Sequence, residues 1–262
     1  MTEKIIVPTM AEMIAQGKQP EILFWVGCAG SFDERAKKIT KAFVRILNRA
    51  NVSFAVLGTE ESCTGDPAKR AGNEFLFQMQ AFMNIKILND YKIKKIVATC
   101  PHCFNTLKNE YPELGGKYEV VHHTQLLKSL LDDGRLTIEG GKFEGKRITY
   151  HDPCYLGRAN NVYEAPRELI QKLDAELVEM KNSRAKGLCC GAGGAQMFKE
   201  SEPGNKEINI ERTEQALLVQ PDIIATGCPF CNTMMTDGVK LAEKEDTIQV
   251  MDVAELIAAS LE

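Results

Sequence analysis

Ile22 to Val26 is an uninterrupted apolar run of strand length, and Ala36, Ile39, Phe43, Ile46, Leu47 and Ala50 then recur at helical spacing. The pattern predicts a buried strand followed by an amphipathic helix. Val52 to Leu57 reads as a second strand, Asp66-Pro67 as an N-cap and first-turn pair opening a helix through the Phe75 to Ile87 region, and Lys95 to Ala98 as a third strand. Met79, Phe82 and Met83 in that helix read as core packing. The second half predicts strands near Ile148 to Tyr150, Glu176 to Glu179 and Ile223 to Ala225, with helices from about Ala165, Asn205 and Pro229. A last helix carries Val253, Leu256, Ile257 and Leu261 on one face. Strands alternating with helices predict an α/β fold of two tandem lobes with mostly parallel sheets.

The halves are copies of one another. An offset of 126 residues carries Cys28 onto Cys154 and Cys63 onto Cys189, while Cys100 and Cys103 fall two residues short of that register with Cys228 and Cys231. The strings ATCPHCFNTL and ATGCPFCNTM around them are related. A period this long indicates domain-sized repeats. Expected boundaries are an N-terminal arm over residues 1 to 20, a first cysteine-rich repeat over 21 to 135 and a second over 146 to 262. The glycine-rich and charged stretch Asp132 to Gly145 suits the joint.

Composition narrows the chemistry. With 32 basic and 36 acidic side chains and a net charge of −4, the chain of 262 residues has no basic footprint for nucleic acid. The longest apolar or small run, Ile22 to Gly30, falls short of the roughly 20 residues of a membrane span. A cytoplasmic protein without direct membrane insertion is expected. Nine cysteines cannot all pair, and the neighbours Cys189 and Cys190 could join only through a strained ring. In a reducing compartment such crowding points to metal ligands or redox thiols.

Cys28, Cys100, Cys154 and Cys228 each lie just beyond a predicted strand. Parallel strands bring their carboxyl ends to one edge, where open α/β sheets bind ligands, so remote cysteines can meet there. Pro101 and Pro229 suit the first helical position, which makes Cys100 and Cys228 N-caps with helix amides and the positive dipole end facing the sulfurs. That setting favours thiolates and an anionic 4Fe-4S core, which carries about −2 with its four thiolates. The glycines flanking Cys28 and following Cys190 permit close backbone approach. Zinc is the competing occupant. A structural zinc site closes with four ligands, which the first half supplies as Cys28, Cys63, Cys100 and Cys103. The second half offers five, Cys154, Cys189, Cys190, Cys228 and Cys231, and so favours iron–sulfur.

Other polar residues carry two readings. His151, beside Asp152 in the string HDPC, reads either as a proton relay or sulfide hydrogen-bond partner, or as a loop residue satisfying backbone groups. His102, replaced by Phe230 in the second copy, reads as structural, His122 and His123 as strand-end or helix-cap residues, and Asp66 as an N-cap. Lys181, Arg184 and Lys186, just before the doublet, read as a solvated loop or as a receiver of an anionic partner. CCGAGG lacks the spacing of a phosphate loop, so no nucleotide site is predicted.

On these cysteines the sequence resembles the cysteine-rich CCG-domain family, which includes the B subunits of heterodisulfide reductases and the iron–sulfur subunits of glycolate and lactate oxidation systems. The family pattern, a cysteine, Cys-Cys-Gly after some thirty to forty residues, then C-x-x-C after a similar gap, is met in full by Cys154, Cys189-Cys190-Gly191 and Cys228/Cys231. The first half departs from it with Ser62-Cys63-Thr64-Gly65. The resemblance implies a cubane or non-cubane 4Fe-4S cluster in the second half, and the departure favours a cubane, with zinc as the alternative, in the first. It implies an iron–sulfur electron-transfer subunit of an oxidoreductase complex, exchanging single electrons with a flavoprotein of the lactate or glycolate oxidase type or a ferredoxin-like subunit. The alternatives are a subunit that cleaves a disulfide at a non-cubane cluster, and a zinc-stabilised assembly module.

Overall fold

The computed structural model describes residues 5–261, which divide into two compact units between Leu136 and Thr137. The first unit runs α1 (Met10–Ala15), β1 (Ile22–Trp25), α2 (Gly27–Phe32), α3 (Glu34–Arg49), β2 (Phe54–Ala55), α4 (Asp66–Arg70), α5 (Glu74–Asp90), β3 (Lys95–Ala98), α6 (Pro101–Asn105), β4 (Glu119–His122) and α7 (His123–Asp132). Its four strands pair in parallel in the order β2-β1-β3-β4. The second unit runs β5 (Arg147–Tyr150), α8 (Glu164–Gln171), β6 (Glu176–Leu177), α9 (Ile208–Leu217), β7 (Ile223–Thr226), α10 (Pro229–Leu241), β8 (Gln249–Asp252) and α11 (Val253–Ala259). Its sheet repeats the order, β6-β5-β7-β8, again all parallel. The expected α/β fold with duplicated parallel sheets is therefore the observed one.

The central strands β1 and β7 are buried along their length, and β3 and β5 after their first residue, as their largely apolar sequences require between two helical layers. In the first unit Phe24 of β1 packs edge-on against Phe43 of α3, with ring centroids 5.0 Å apart. In the second, Met180, Ala216, Ile224, Met235 and Val239 form a core between β7, α9 and α10. Residues 5 to 20 hold α1, whose Met10 is fully buried and whose Met10 amide donates to the Val56 carbonyl at 2.9 Å. Among the described residues no helix is long and apolar enough to cross a membrane.

Two expectations are corrected. Asp66 is not the N-cap: Gly65 holds that position with φ +89°, Asp66 is the first helical residue, and its buried carboxylate accepts from Arg70 Nε at 3.1 Å. The helix beginning there stops at Arg70, and α5 starts afresh under an Asn73 cap. Met79, Phe82 and Met83 are not core. They are 45%, 51% and 57% exposed, because α5 turns Phe77, Ala81, Asn84, Ile85 and Leu88 inward instead.

Candidate functional site: two cysteine pockets

Each of Cys28, Cys100, Cys154 and Cys228 follows a strand end by two to four residues, after β1, β3, β5 and β7. The strands concerned are hydrogen-bonded neighbours, β1 with β3 and β5 with β7, so each pair of cysteines leaves the same sheet edge. Cys100 and Cys228 occupy the N-cap positions of α6 and α10, with Pro101 and Pro229 in the first turn. None of the nine cysteines is joined in a disulfide.

In the second unit the five sulfurs form an unbroken chain of contacts. Cys154 hydrogen-bonds Cys189, Cys189 contacts Cys190, Cys190 Sγ lies 3.2 Å from Cys231 Sγ, and Cys231 contacts Cys228. Cys190, Cys228 and Cys231 are buried against Ala192, Met197, Phe230 and Met234, while Cys154 and Cys189 are half-buried. Donation from Cys154, then from Cys190 and the Gly191 amide at 3.3 Å, pushes the Cys189 thiol well down, whereas Cys154 is pushed up by its bond to Cys189 and by burial.

The first unit repeats the geometry with one fewer sulfur. Cys28 hydrogen-bonds Cys63, Cys100 hydrogen-bonds Cys103, and electrostatic coupling links the pairs. Accepting from Cys28 and from the Gly65 amide at 3.5 Å brings Cys63 down to about 7. Thr64 stands where the second half has Cys190, and its hydroxyl sits 3.9 Å from Cys103 Sγ, the contact Cys190 makes with Cys231. Gly65 and Gly191, both with positive φ, turn equivalent amides onto equivalent sulfurs. A Cβ at Gly65 would stand 2.8 Å from the Phe77 ring and 3.2 Å from its carbonyl oxygen. Gly65→Ala is therefore expected to cost the first unit about 1–3 kcal/mol. The sole tryptophan, Trp25, lies buried in β1 and provides the fluorescence readout of urea unfolding; an unshifted midpoint would contradict the steric argument.

Carboxylates that no local sequence signal marks hold the loops. Glu61 accepts from the Val26 amide at 3.0 Å and the Gly27 amide at 2.6 Å, and burial raises its pKa to about 7. The second unit solves the same problem in reverse. Asp152, in the Val26 position, accepts from the Arg184 amide at 2.7 Å and takes a two-pronged bond from buried Arg167 at 2.7 and 2.9 Å. Arg167 also bonds Glu179.

His151 is fully buried, and a ring nitrogen lies within 4.8 Å of the Cys190 and Cys231 sulfurs. Burial, then the Arg212 guanidinium, lowers its pKa to about 3, so the ring is neutral. His102 is also buried, with Nδ1 3.7 Å from Cys100 Sγ. His122 caps α7 from the end of β4, with Nδ1 2.8 Å from Thr124 Oγ1, and His123 begins the helix. Lys181, Arg184 and Lys186 are exposed, and the Arg184 side chain pairs with Glu164.

The donor set fits a thiophilic inorganic group. It is all-sulfur, desolvated on one side and supplied with backbone donors, and the half-buried carboxylate beside the first pocket, Glu61, already has amide partners.

Relatives carry matching names. The chain is 50% identical over 97% of its length to a probable iron-sulfur-binding oxidoreductase, FadF, of Bacillus subtilis, and 46% identical over 94% to an EtfAB:quinone oxidoreductase of Syntrophomonas wolfei. It spans 36% and 35% of those proteins, about a third of each. The D subunit of a dihydromethanophenazine:CoB--CoM heterodisulfide reductase of Methanosarcina barkeri is 35% identical over 92% of this chain and 59% of its own length. Glutamate racemase from Aquifex pyrophilus aligns over 92% of this chain and 81% of its own at 15% identity, and its TM-score of 0.38 carries no functional argument. Residues 22–108 and 148–236 each match the cysteine-rich domain called CCG, so the chain belongs to that cysteine-rich domain family, present in two copies.

Proposed function

We propose that the chain is an iron–sulfur electron-transfer module of an oxidoreductase complex, exchanging single electrons with a flavoprotein or a ferredoxin-like subunit. The observation that carries this reading is the continuous five-sulfur chain Cys154, Cys189, Cys190, Cys231 and Cys228, echoed by Cys28, Cys63, Cys100 and Cys103. Those residues would ligate a 4Fe-4S cluster in each half, cubane or non-cubane in the second and cubane in the first. A bound cluster supplies one-electron chemistry at iron, which no side chain here provides. The chain itself does the rest: the strand edge gathers the thiols, the helix amino ends and the Gly65 and Gly191 amides stabilise thiolates, and apolar side chains exclude water. The names of the FadF and EtfAB:quinone oxidoreductase relatives support a redox role.

A second reading, cleavage of a disulfide, is favoured by the half-exposure of Cys154 and Cys189, which leaves one side of the second pocket open to a substrate. Two electrons, delivered singly by a partner, and two protons would convert one disulfide into two thiols. The name of the heterodisulfide reductase relative is consistent with it.

Anaerobic purification followed by iron, sulfide and zinc analysis tests the first requirement. Iron and sulfide in equal amounts are expected, with paramagnetic signals on reduction or oxidation. Zinc in place of iron in both halves would convert the reading into that of an assembly module.

A further inference from the structure

Arg212 of α9 is fully buried, yet among the described residues no carboxylate pairs with it. Its Nε donates to His151 Nδ1 at 3.0 Å, one terminal nitrogen donates to the Asn182 carbonyl at 2.8 Å and Gln215 at 3.1 Å, and the other terminal nitrogen has no partner among them. A cation held out of water without a counter-ion costs several kcal/mol, so the position calls for an anion. Asp152 is within electrostatic range, but its two oxygens are engaged by Arg167 and the Arg184 amide. The other acidic groups acting on Arg212 are Cys189, Cys190 and Cys231.

The same bond fixes the imidazole. A guanidinium only donates, so His151 Nδ1 accepts, and the neutral ring carries its proton on Nε2. That Nε2 is buried without a partner among the described residues, in a ring lying against the Cys190 and Cys231 sulfurs. In the first half the corresponding residues are Trp25, by the 126-residue offset, and Asn84, by the 128-residue offset of the C-x-x-C strings. Asn84 is neutral and spends its amide on the Cys63 carbonyl and Tyr111.

We propose that Arg212 and His151 are a positioning pair specific to the second pocket, the guanidinium acting as counter-charge to an anionic iron–sulfur core and His151 Nε2–H donating to one of its sulfurs. The inference rests on the iron–sulfur reading above. A fixed positive charge and a donor to sulfur both favour the more electron-rich state, so the pair raises the reduction potential of the second centre.

The test uses the anaerobically loaded full chain and the paramagnetic signal that Cys154→Ser abolishes. Iron and sulfide are measured first; a wild-type chain that takes up neither refutes the iron–sulfur reading itself. In loaded protein, Arg212→Gln is expected to lower the reduction equilibrium constant of that signal at least tenfold, about 59 mV for one electron. His151→Leu is expected to lower it by about threefold or more, and His151→Gln, which retains an N–H, to recover part of the loss. Constants within twofold of wild type for both Arg212→Gln and His151→Leu at full iron content would overturn the proposal. If Arg212→Gln loses iron, Arg212→Lys decides: recovery of iron supports the counter-charge, and equal loss overturns it.

Discussion

Replacing Arg167 by methionine is expected to lower the stability of the second unit by about 3–5 kcal/mol, the range found when one partner of a buried ion pair is removed. Arg167 is 2% exposed and Asp152 is 5% exposed, and the guanidinium holds Asp152 at 2.7 and 2.9 Å while also reaching Glu179 and the Tyr163 carbonyl. The cost arises because Asp152 cannot retreat to solvent: it would remain buried with the Arg184 amide as its remaining strong donor. That amide belongs to the loop leading into Cys189, so loosening Asp152 also loosens the doublet. The location of the single tryptophan makes the expected result specific. In urea, far-UV circular dichroism of the metal-free variant should show an early transition, while Trp25 fluorescence, which reports the first unit, keeps its midpoint. Adding Asp152→Asn should recover part of the loss, since the stranded charge is then gone. A single-residue effect below about 1 kcal/mol would mean that the pair is solvated and the argument from burial wrong.

What can be read from the sequence divides along physical lines. The central strands are legible because both faces are covered and each carries a short apolar run: Lys95 to Ala98, with Ile96 to Ala98 buried, has the observed bounds, and Ile22 to Val26 and Ile223 to Ala225 differ by one residue at an end. The edge strand β8 (Gln249–Asp252) escapes the pattern because it places an exposed glutamine at one end and a buried aspartate at the other, leaving only Val250 and Met251 between them and no apolar run. Helix α7 is a further addition from the structure; Leu126, Leu127 and Leu130 recur at helical spacing there, but over only ten residues. The α5 error has a different origin. Apolar residues there are spread round the helix rather than gathered on one face, so periodicity alone could not say which side faces the sheet. The cysteines can be placed because strand ends and proline-marked helix starts are local signals. Glu61, Asp152 with Arg167, and His151 with Arg212 cannot, because each contact joins residues 15 to 61 positions apart whose meeting is a property of the fold. The one available signal for Arg212 is comparison of the halves, which sets an arginine against Asn84 in the second copy.

That comparison also defines the largest expected change in the chemistry. Thr64 and Cys190 hold equivalent places, each against the second cysteine of its C-x-x-C pair, and the backbone following each is turned alike by a positive-φ glycine. A threonine oxygen and a cysteine sulfur differ there by one potential iron ligand and little in volume. Cys190→Thr should therefore leave the second half folded, with the four-thiol set Cys154, Cys189, Cys228 and Cys231 that mirrors Cys28, Cys63, Cys100 and Cys103. If the fifth thiol is a ligand, the paramagnetic signal of the second centre should change form toward that of the first, while iron in the chain falls by no more than the half that one centre contributes. The converse variant, Thr64→Cys, should give the first half five thiols and move its signal toward the wild-type second one. Measured in the assembled oxidoreductase, the same Cys190→Thr protein separates the two functional readings. Disulfide reduction that needs the fifth sulfur should fall at least a hundredfold, about 2.7 kcal/mol in barrier, whereas electron passage through a surviving four-thiol centre should fall by less than tenfold. Unaltered signals in both variants would show that Cys190 packs beside the centre without touching iron, and would return the second half to the simpler four-ligand chemistry of the first.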